Sequence, residues 1–235
     1  MRTVELLLDD KQNYYTREAF NTLRTNILFS GRDVKVILIT SCVAHEGKST
    51  VSFEAARNLA KAGKKVLLID ADLRKSVYAH RYTKERGLMG LSQYLSGQVS
   101  AEDILFNTQI PTMDIVFAGP FPPNPTELVG NESFRELLDA NRDKYDYIIV
   151  DAPPLGLVID AAVMAVACDG AILVVDAGSV KYRVAQRVTD LLAKSGCRML
   201  GAVLNQTNRK KGCGLNKAYG EYYAYSYGEK DADKK

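Results

Sequence analysis

Residues 34–40, VKVILIT, feed directly through SCVAHEGKST (41–50) into a helical stretch that ends at Gly63. A buried strand that turns through Gly-Lys-Ser/Thr into a helix leaves few folds open. Such a turn points backbone N–H groups and a helix N-terminus at one small volume, which suits a polyphosphate. Glu46, Gly47, Lys48, Ser49 and Thr50 are then the residues expected around a nucleotide. Lys48 reaches the β- and γ-phosphates and the Ser49 hydroxyl serves Mg²⁺. A bare GKS triplet is common, so an ordinary turn is the bland reading. The strand before it and the helix after it weigh against that reading.

The rest of the chain repeats the alternation. Apolar runs at 65–70, 113–119, 145–153, 170–178 and 199–206 read as strands, and several lack polar alternation, as strands covered on both faces do. Helical patterns fall at 50–62, 132–144, 160–167 and 184–194, with an amphipathic helix at 14–29 ahead of the first long strand. The expectation is a three-layer α/β/α P-loop fold with a mainly parallel central sheet. Residues 119–130, GPFPPNPTELVG, are proline-rich and predict a defined loop. The organisation expected is a domain over 1–207, with 1–30 as an N-terminal helical segment, and a flexible tail over 208–235.

Two carboxylate motifs fall where ligands bind in open α/β sheets, past the carboxyl ends of strands. VLLIDADLRKS (66–76) presents Asp70 and Asp72, and YIIVDAPP (147–154) presents Asp151. Acids in that place suit Mg²⁺, held directly or through water. Taken singly, each is as well read as a solvated strand-end acid. Asn205, at the end of the last strand, is a candidate for adenine contact, with a capped turn as the plain alternative. Arg74 reads equally as a phosphate ligand or a salt bridge.

Charge and composition exclude several classes. A net charge of +3 does not predict a nucleic-acid partner. The N-terminus MRTVELLLDDKQ lacks the basic start and apolar core of a signal peptide, and no apolar run approaches the ~20 residues of a membrane span. A cytoplasmic protein is expected. Four dispersed cysteines, Cys42, Cys168, Cys197 and Cys213, argue against a disulfide framework or a zinc site. His45 and His80 form no nucleophile set with the serines.

The tail is tyrosine-rich. Tyr219, Tyr222, Tyr223, Tyr225 and Tyr227 stand among Gly, Glu and Ser, where a buried core is not expected, and they read as phosphoacceptors or as a sticky aromatic surface. The eleven steps from Asn208 to Tyr219 span roughly 36–40 Å if extended, enough for the tail to reach its own site or a neighbour's.

Together SCVAHEGKST, DADLR and IIVDAPP resemble the Walker A, A′ and B motifs of the bacterial tyrosine kinases of the CpsD/CapB type, which regulate capsule and exopolysaccharide synthesis and export. GPFPPNPTELV resembles that family's proline-rich loop, and EAFNTLRTNI its N-terminal helix. The resemblance implies ATP·Mg²⁺-dependent autophosphorylation of the tail tyrosines. It assigns catalysis to Lys48, Asp70, Asp72 and Asp151, with Ser49, Asp72 and Asp151 serving the metal and Asp70 orienting or accepting the tyrosine proton. It also implies a membrane-bound polysaccharide co-polymerase-like activator that recruits the kinase to the inner face of the membrane, a protein-tyrosine phosphatase, and a ring-like homo-oligomer built through Glu18 and Arg24. Two positions depart from the family pattern. His45 replaces a glycine before Glu46, and Asn21 replaces the first arginine of E-x-x-R-x-x-R.

The rival reading is a MinD/ParA-like regulatory ATPase that modifies no tyrosine. Those proteins carry an early signature lysine in the loop, where this chain has Val43. A nucleotide-binding scaffold without turnover is the third reading.

Overall fold

A computed structural model describes residues 2–8, 13–178 and 180–207. Eight strands form one sheet: β1 (Arg2–Val4), β2 (Val36–Ser41), β3 (Val66–Asp70), β4 (Phe106–Thr108), β5 (Met113–Val116), β6 (Tyr147–Asp151), β7 (Gly170–Asp176) and β8 (Arg198–Asn205). Their spatial order is β1-β4-β5-β3-β6-β2-β7-β8. All pairings are parallel except β4 with β5. The chain leaves β2 toward β3 on one side and leaves β6 toward β7 on the other. The direction therefore reverses at the β6/β2 boundary, which opens a crevice at the strands' carboxyl ends.

Every residue of β2, β3 and β6 is buried, and alternate side chains enter two separate cores. Val36 and Leu38 face one, and Ile37 and Ile39 the other. Each such side chain, once buried, contributes about 1.5–3 kcal/mol, so unbroken apolar strands fit only a sheet covered on both faces. One face is covered by α1 (Tyr14–Leu28), α2 (Lys48–Lys61) and α3 (Tyr78–Arg81). The other carries α4 (Leu91–Leu95), α5 (Ala101–Ile104), α6 (Pro125–Val129), α7 (Glu132–Asp139), α8 (Asp160–Ala165) and α9 (Tyr182–Lys194).

Local chemistry sets the boundaries. Asn13 caps α1 by accepting from the Thr16 N–H at 2.8 Å. Pro125 opens α6 at its first turn, where the missing N–H costs nothing. The expected helix over 132–144 stops at Asp139. Beyond it the Asn141 side chain donates to the Leu137 carbonyl at 2.7 Å, and Arg142 turns away to pair with Asp169 at 2.9 Å. The strand expected to run to residue 119 ends at Val116, because the carbonyls of Phe117 and Ala118 accept the first N–H groups of α4. Within the stretch read as N-terminal helix, residues 2–4 instead pair with β4 as a strand.

Candidate functional site

The phosphate loop is held by its neighbours as much as by its own turn. The Glu46 carboxylate is buried and accepts from the Val43 N–H at 2.7 Å and the Asp176 N–H at 2.9 Å. It thus ties the loop to the end of β7. Asn205 donates from its amide to the Glu46 carbonyl at 2.8 Å, and Gln206 to the His45 carbonyl at 2.7 Å. Gly47 sits at φ 87°, and a Cβ there would lie 2.2 Å from the Asn205 amide nitrogen. Both conformation and space therefore demand glycine. His45 adopts φ 67° without being glycine, so the departure noted in the sequence is a strained left-handed residue.

Helix α2 starts at Lys48, which brings the lysine, Ser49 and Thr50 into its first turn. Lys48 Nζ lies 2.9 Å from Asp72 and 3.4 Å from Asp151, and 3.2 Å from the Ser49 hydroxyl. Burial pulls the Lys48 pKa down, but Asp151 and Asp72 outweigh it and hold the ammonium above its usual range. The same contacts do not bring Asp151 down. Its carboxyl is fully buried, and desolvation outweighs Lys48 and the hydroxyls of Ser49 and Ser52, so its pKa is raised. Ser52, one turn along α2, donates to Asp151 at 2.9 Å.

Asp70 ends β3 in register with Asp151 at the end of β6. Burial, then the charge of Asp151, push the Asp70 carboxyl up to about 8, against the hydrogen bond from Ser76 and the charge of Lys48. Ser76 donates to one oxygen of Asp70 at 2.5 Å. The other, Oδ1, is buried without a hydrogen-bond partner among the described residues, an acceptor whose cost is removed only by a donor or a cation.

The flanking residues are structural supports. Tyr78 is buried and donates its hydroxyl to the Ser49 carbonyl at 2.9 Å. Arg81 donates to the Thr50 hydroxyl at 2.7 Å. Arg74 takes the salt-bridge reading: it grips Asp160 at 2.7 and 3.1 Å and Thr126 at 2.9 Å. That grip joins the DADLR segment to α8 and to α6, a short helix that Pro125 opens inside the stretch 119–130 expected to be loop.

Lys48, Ser49, Asp70, Asp72 and Asp151 thus meet at the carboxyl ends of β2, β3 and β6. Glu46 and Asn205 turn their side chains to the loop itself. On α1 the Asn21 amide donates to Glu18 at 2.9 Å, and Arg24 lies half-buried on the same helix. All five tail tyrosines lie outside the described residues. Sequence reasoning missed Ser52, Ser76 and Tyr78. Ser52 sits four residues after Lys48, one helical turn away, and that spacing was a usable signal.

Among the described residues, no group of three or more His, Cys, Asp or Glu side chains is poised around a metal. Hard oxygens are nonetheless close together, from Ser49, Asp72 and Asp151. Mg²⁺ takes one or two carboxylates and fills its shell with water and phosphate oxygens, so this donor set fits it. No helix among the described residues is long and apolar enough to cross a membrane.

A strand–loop–helix cradle at the switch point of a parallel sheet, flanked by buried strand-end acids, is the architecture of the P-loop nucleotide-binding proteins. A family model described as an AAA domain matches residues 34–195. "Tyrosine-protein kinase CpsD" of Streptococcus agalactiae is 42% identical over 225 residues, which cover 96% of this chain and 95% of that protein. The chain belongs to this family of bacterial tyrosine-protein kinases. Among solved structures, the kinase domain of the Escherichia coli tyrosine kinase ETK matches with a TM-score of 0.79 at 27% identity, covering 91% of this chain and 93% of that one. The septum site-determining protein MinD of Pyrococcus horikoshii OT3, solved with Mg-ADP, matches less well. Its TM-score is 0.65 at 26% identity, covering 76% of this chain and 72% of that one. The kinases are the nearer relatives, and the regulatory-ATPase reading recedes.

Proposed function

We propose that this chain is an ATP-dependent protein-tyrosine autokinase whose acceptors are Tyr219, Tyr222, Tyr223, Tyr225 and Tyr227. The observation that carries the reading is the meeting of Lys48, Asp72 and Asp151 within 3.4 Å contacts, with Asp70 in register beside them. Phosphoryl transfer asks mainly for positioning and charge neutralisation, and this cluster supplies both. Backbone N–H groups of residues 46–50 bind the phosphates, and Lys48 offsets charge on the β- and γ-phosphoryl oxygens. Mg²⁺, when bound through Ser49, Asp72 and Asp151, supplies further neutralisation of the triphosphate. The phenol oxygen attacks the γ-phosphorus, the bond to the β–γ bridging oxygen breaks, and ADP leaves. Asp70 orients the phenol and, in its ionised form, receives its proton. Tyr78, through the Ser49 carbonyl, and Ser52, through Asp151, hold the reacting groups in place.

Family membership supports the wider setting. The activator is a membrane-bound polysaccharide co-polymerase-like protein that recruits the kinase to the inner face of the membrane. A protein-tyrosine phosphatase reverses the modification. Glu18 and Arg24 on α1 serve self-association into a ring. With Asn21 holding Glu18, the chain has one arginine fewer for that contact. The process served is capsular or exopolysaccharide synthesis and export.

Incubation with labelled ATP·Mg²⁺ and the activator's cytoplasmic segment, followed by phosphosite mapping, tests the proposal. Phosphate on the tail tyrosines that disappears in Lys48→Met is the expected result. Free phosphate without phosphotyrosine would return the chain to the regulatory ATPases.

A further inference from the structure

A strongly basic surface borders the phosphate loop. Lys75, Arg81, Lys84 and Arg86 are exposed, spread over the segment that follows β3 and carries α3. The single acid between residues 73 and 90 is Glu85, already paired with Arg2 at 2.7 Å. Arg81 donates to the Thr50 hydroxyl at 2.7 Å and lies over the Tyr82 ring. Arg86 donates to the carbonyls of Ala79 and Glu85. These partners are neutral, so the positive charge of the segment stays uncompensated.

Apolar side chains stand out of the same surface. Phe121 is 67% exposed, Met89 44% and Leu7 42%. Leu7 donates its N–H to the Tyr82 carbonyl just past α3. Gly90, next to Met89, packs so closely on the turn after β5 that a Cβ there would lie 2.3 Å from the Gly119 nitrogen. Pro120, next to Phe121, shares a small cleft with His80 and Arg86. The loop also holds Phe121 in place. Ser92 donates to the Pro120 carbonyl at 2.7 Å, and the buried Pro122 restricts Phe121 to extended backbone. A ring displayed in this way loses little freedom on binding.

We infer that this surface docks on a bilayer leaflet of anionic phospholipids. Phe121, Met89 and Leu7 enter the headgroup layer, while Lys75, Arg81, Lys84 and Arg86 meet the lipid phosphates. Clustered exposed apolar side chains mark a protein or a membrane contact. Lysine is depleted at protein–protein interfaces, whereas cations around protruding apolar side chains suit an anionic leaflet. Each cation beside such a leaflet strengthens binding about fivefold, so these cations together supply roughly several hundredfold. The bond from Arg81 to Thr50, in the first turn of α2, sets the orientation. A chain lying on this face turns its phosphate crevice toward the leaflet. The inference goes beyond the kinase reading and needs no phosphate transfer.

The test is sedimentation of the full chain with phosphatidylcholine vesicles, with and without phosphatidylglycerol, in the absence of ATP. Anionic vesicles are expected to bind at least tenfold more tightly, with affinity falling as salt rises. Lys84→Glu combined with Arg86→Glu should lower that affinity at least tenfold. Phe121→Ser combined with Met89→Ser should lower it at least threefold and keep the salt dependence, because only the apolar contact is lost. Both double variants change exposed side chains and should keep nucleotide affinity within twofold, which reports their folding. The tail residues Arg209, Lys210 and Lys211 serve as a control, and changing all three to Ala should leave vesicle affinity within threefold. Hydrogen exchange on the wild-type chain needs no variant. Amides within 79–89 and 119–123 should exchange more slowly on anionic vesicles. Equal sedimentation with both vesicles, wild-type affinity in either double variant, loss confined to the tail variant, or unchanged exchange would each overturn the lipid-docking face. Binding of soluble polyglutamate as tight as that of vesicles would overturn it in favour of an acidic protein partner. A chain that binds anionic vesicles yet transfers no phosphate would instead sink the kinase reading and leave this face standing.

Discussion

Gln206 donates its side-chain amide to the carbonyl of His45 at 2.7 Å, and the two residues, 161 positions apart, both hold positive φ, 57° and 67°. The end of β8 and the phosphate loop therefore fix each other in a conformation that neither residue type favours. Replacing His45 by glycine removes the left-handed penalty and adds some unfolded-state entropy. The net gain expected is about 0.5–1 kcal/mol, or roughly 1–4 °C in Tm for a domain of this size. Differential scanning fluorimetry of His45→Gly without nucleotide reads it, and an unchanged or lower Tm would refute the strain. Gln206→Ala should weaken nucleotide binding several-fold by freeing the loop.

The buried acids make stability depend on pH in an uncommon direction. Asp70, raised to about 8 when folded, binds more protons in the native than in the unfolded state across the window from ~4 to 8. Native stability must then fall as pH rises through that window, by at most about 1.4 kcal/mol per unit from this group. Urea unfolding at pH 6 and pH 8 in chelator should show the loss. Asp70→Asn should flatten the profile and be the more stable form at pH 8; a variant with the same slope as the parent would place the effect elsewhere.

Lys48 is the cation closest to two buried carboxylates, Asp72 and Asp151. Lys48→Met should abolish tyrosine phosphorylation and also destabilise the chain by about 3–5 kcal/mol, because it strands buried charge. Protonation relieves stranded carboxylates, so the destabilisation should be smaller at pH 5 than at pH 8. Equal losses at both values would mean that the methionine fails through packing alone.

Arg74 braces the DADLR segment against α8 and α6 through the nearly buried Asp160 and the Thr126 hydroxyl. Arg74→Ala should cost about 1–3 kcal/mol, less than a fully buried pair because the guanidinium is partly exposed. Arg74→Lys should recover less than half of that, since an ammonium cannot span Asp160 and Thr126 as a fork does. Chemical denaturation measures both. Full stability with lost activity would instead assign Arg74 to the phosphates.

The fold class and the heart of the site were legible in the chain because their chemistry is written in contiguous residues. A phosphate cradle needs successive backbone amides, so GKST after an apolar run announces itself, and strands buried on both faces betray their covering in unbroken apolar runs. Asp70, Asp72 and Asp151 were readable as strand-end acids for the same reason. Contacts between segments far apart in sequence were not legible. Nothing in the order of residues says that Gln206 meets His45, that Glu46 serves the loop's own backbone, that Ser52 and Ser76 hold separate carboxylates, or that Arg74 finds Asp160. Those pairings follow from strand order and from where each crossover returns to the sheet. A side-chain hydrogen bond decides within ångströms what a pattern of residue types leaves open.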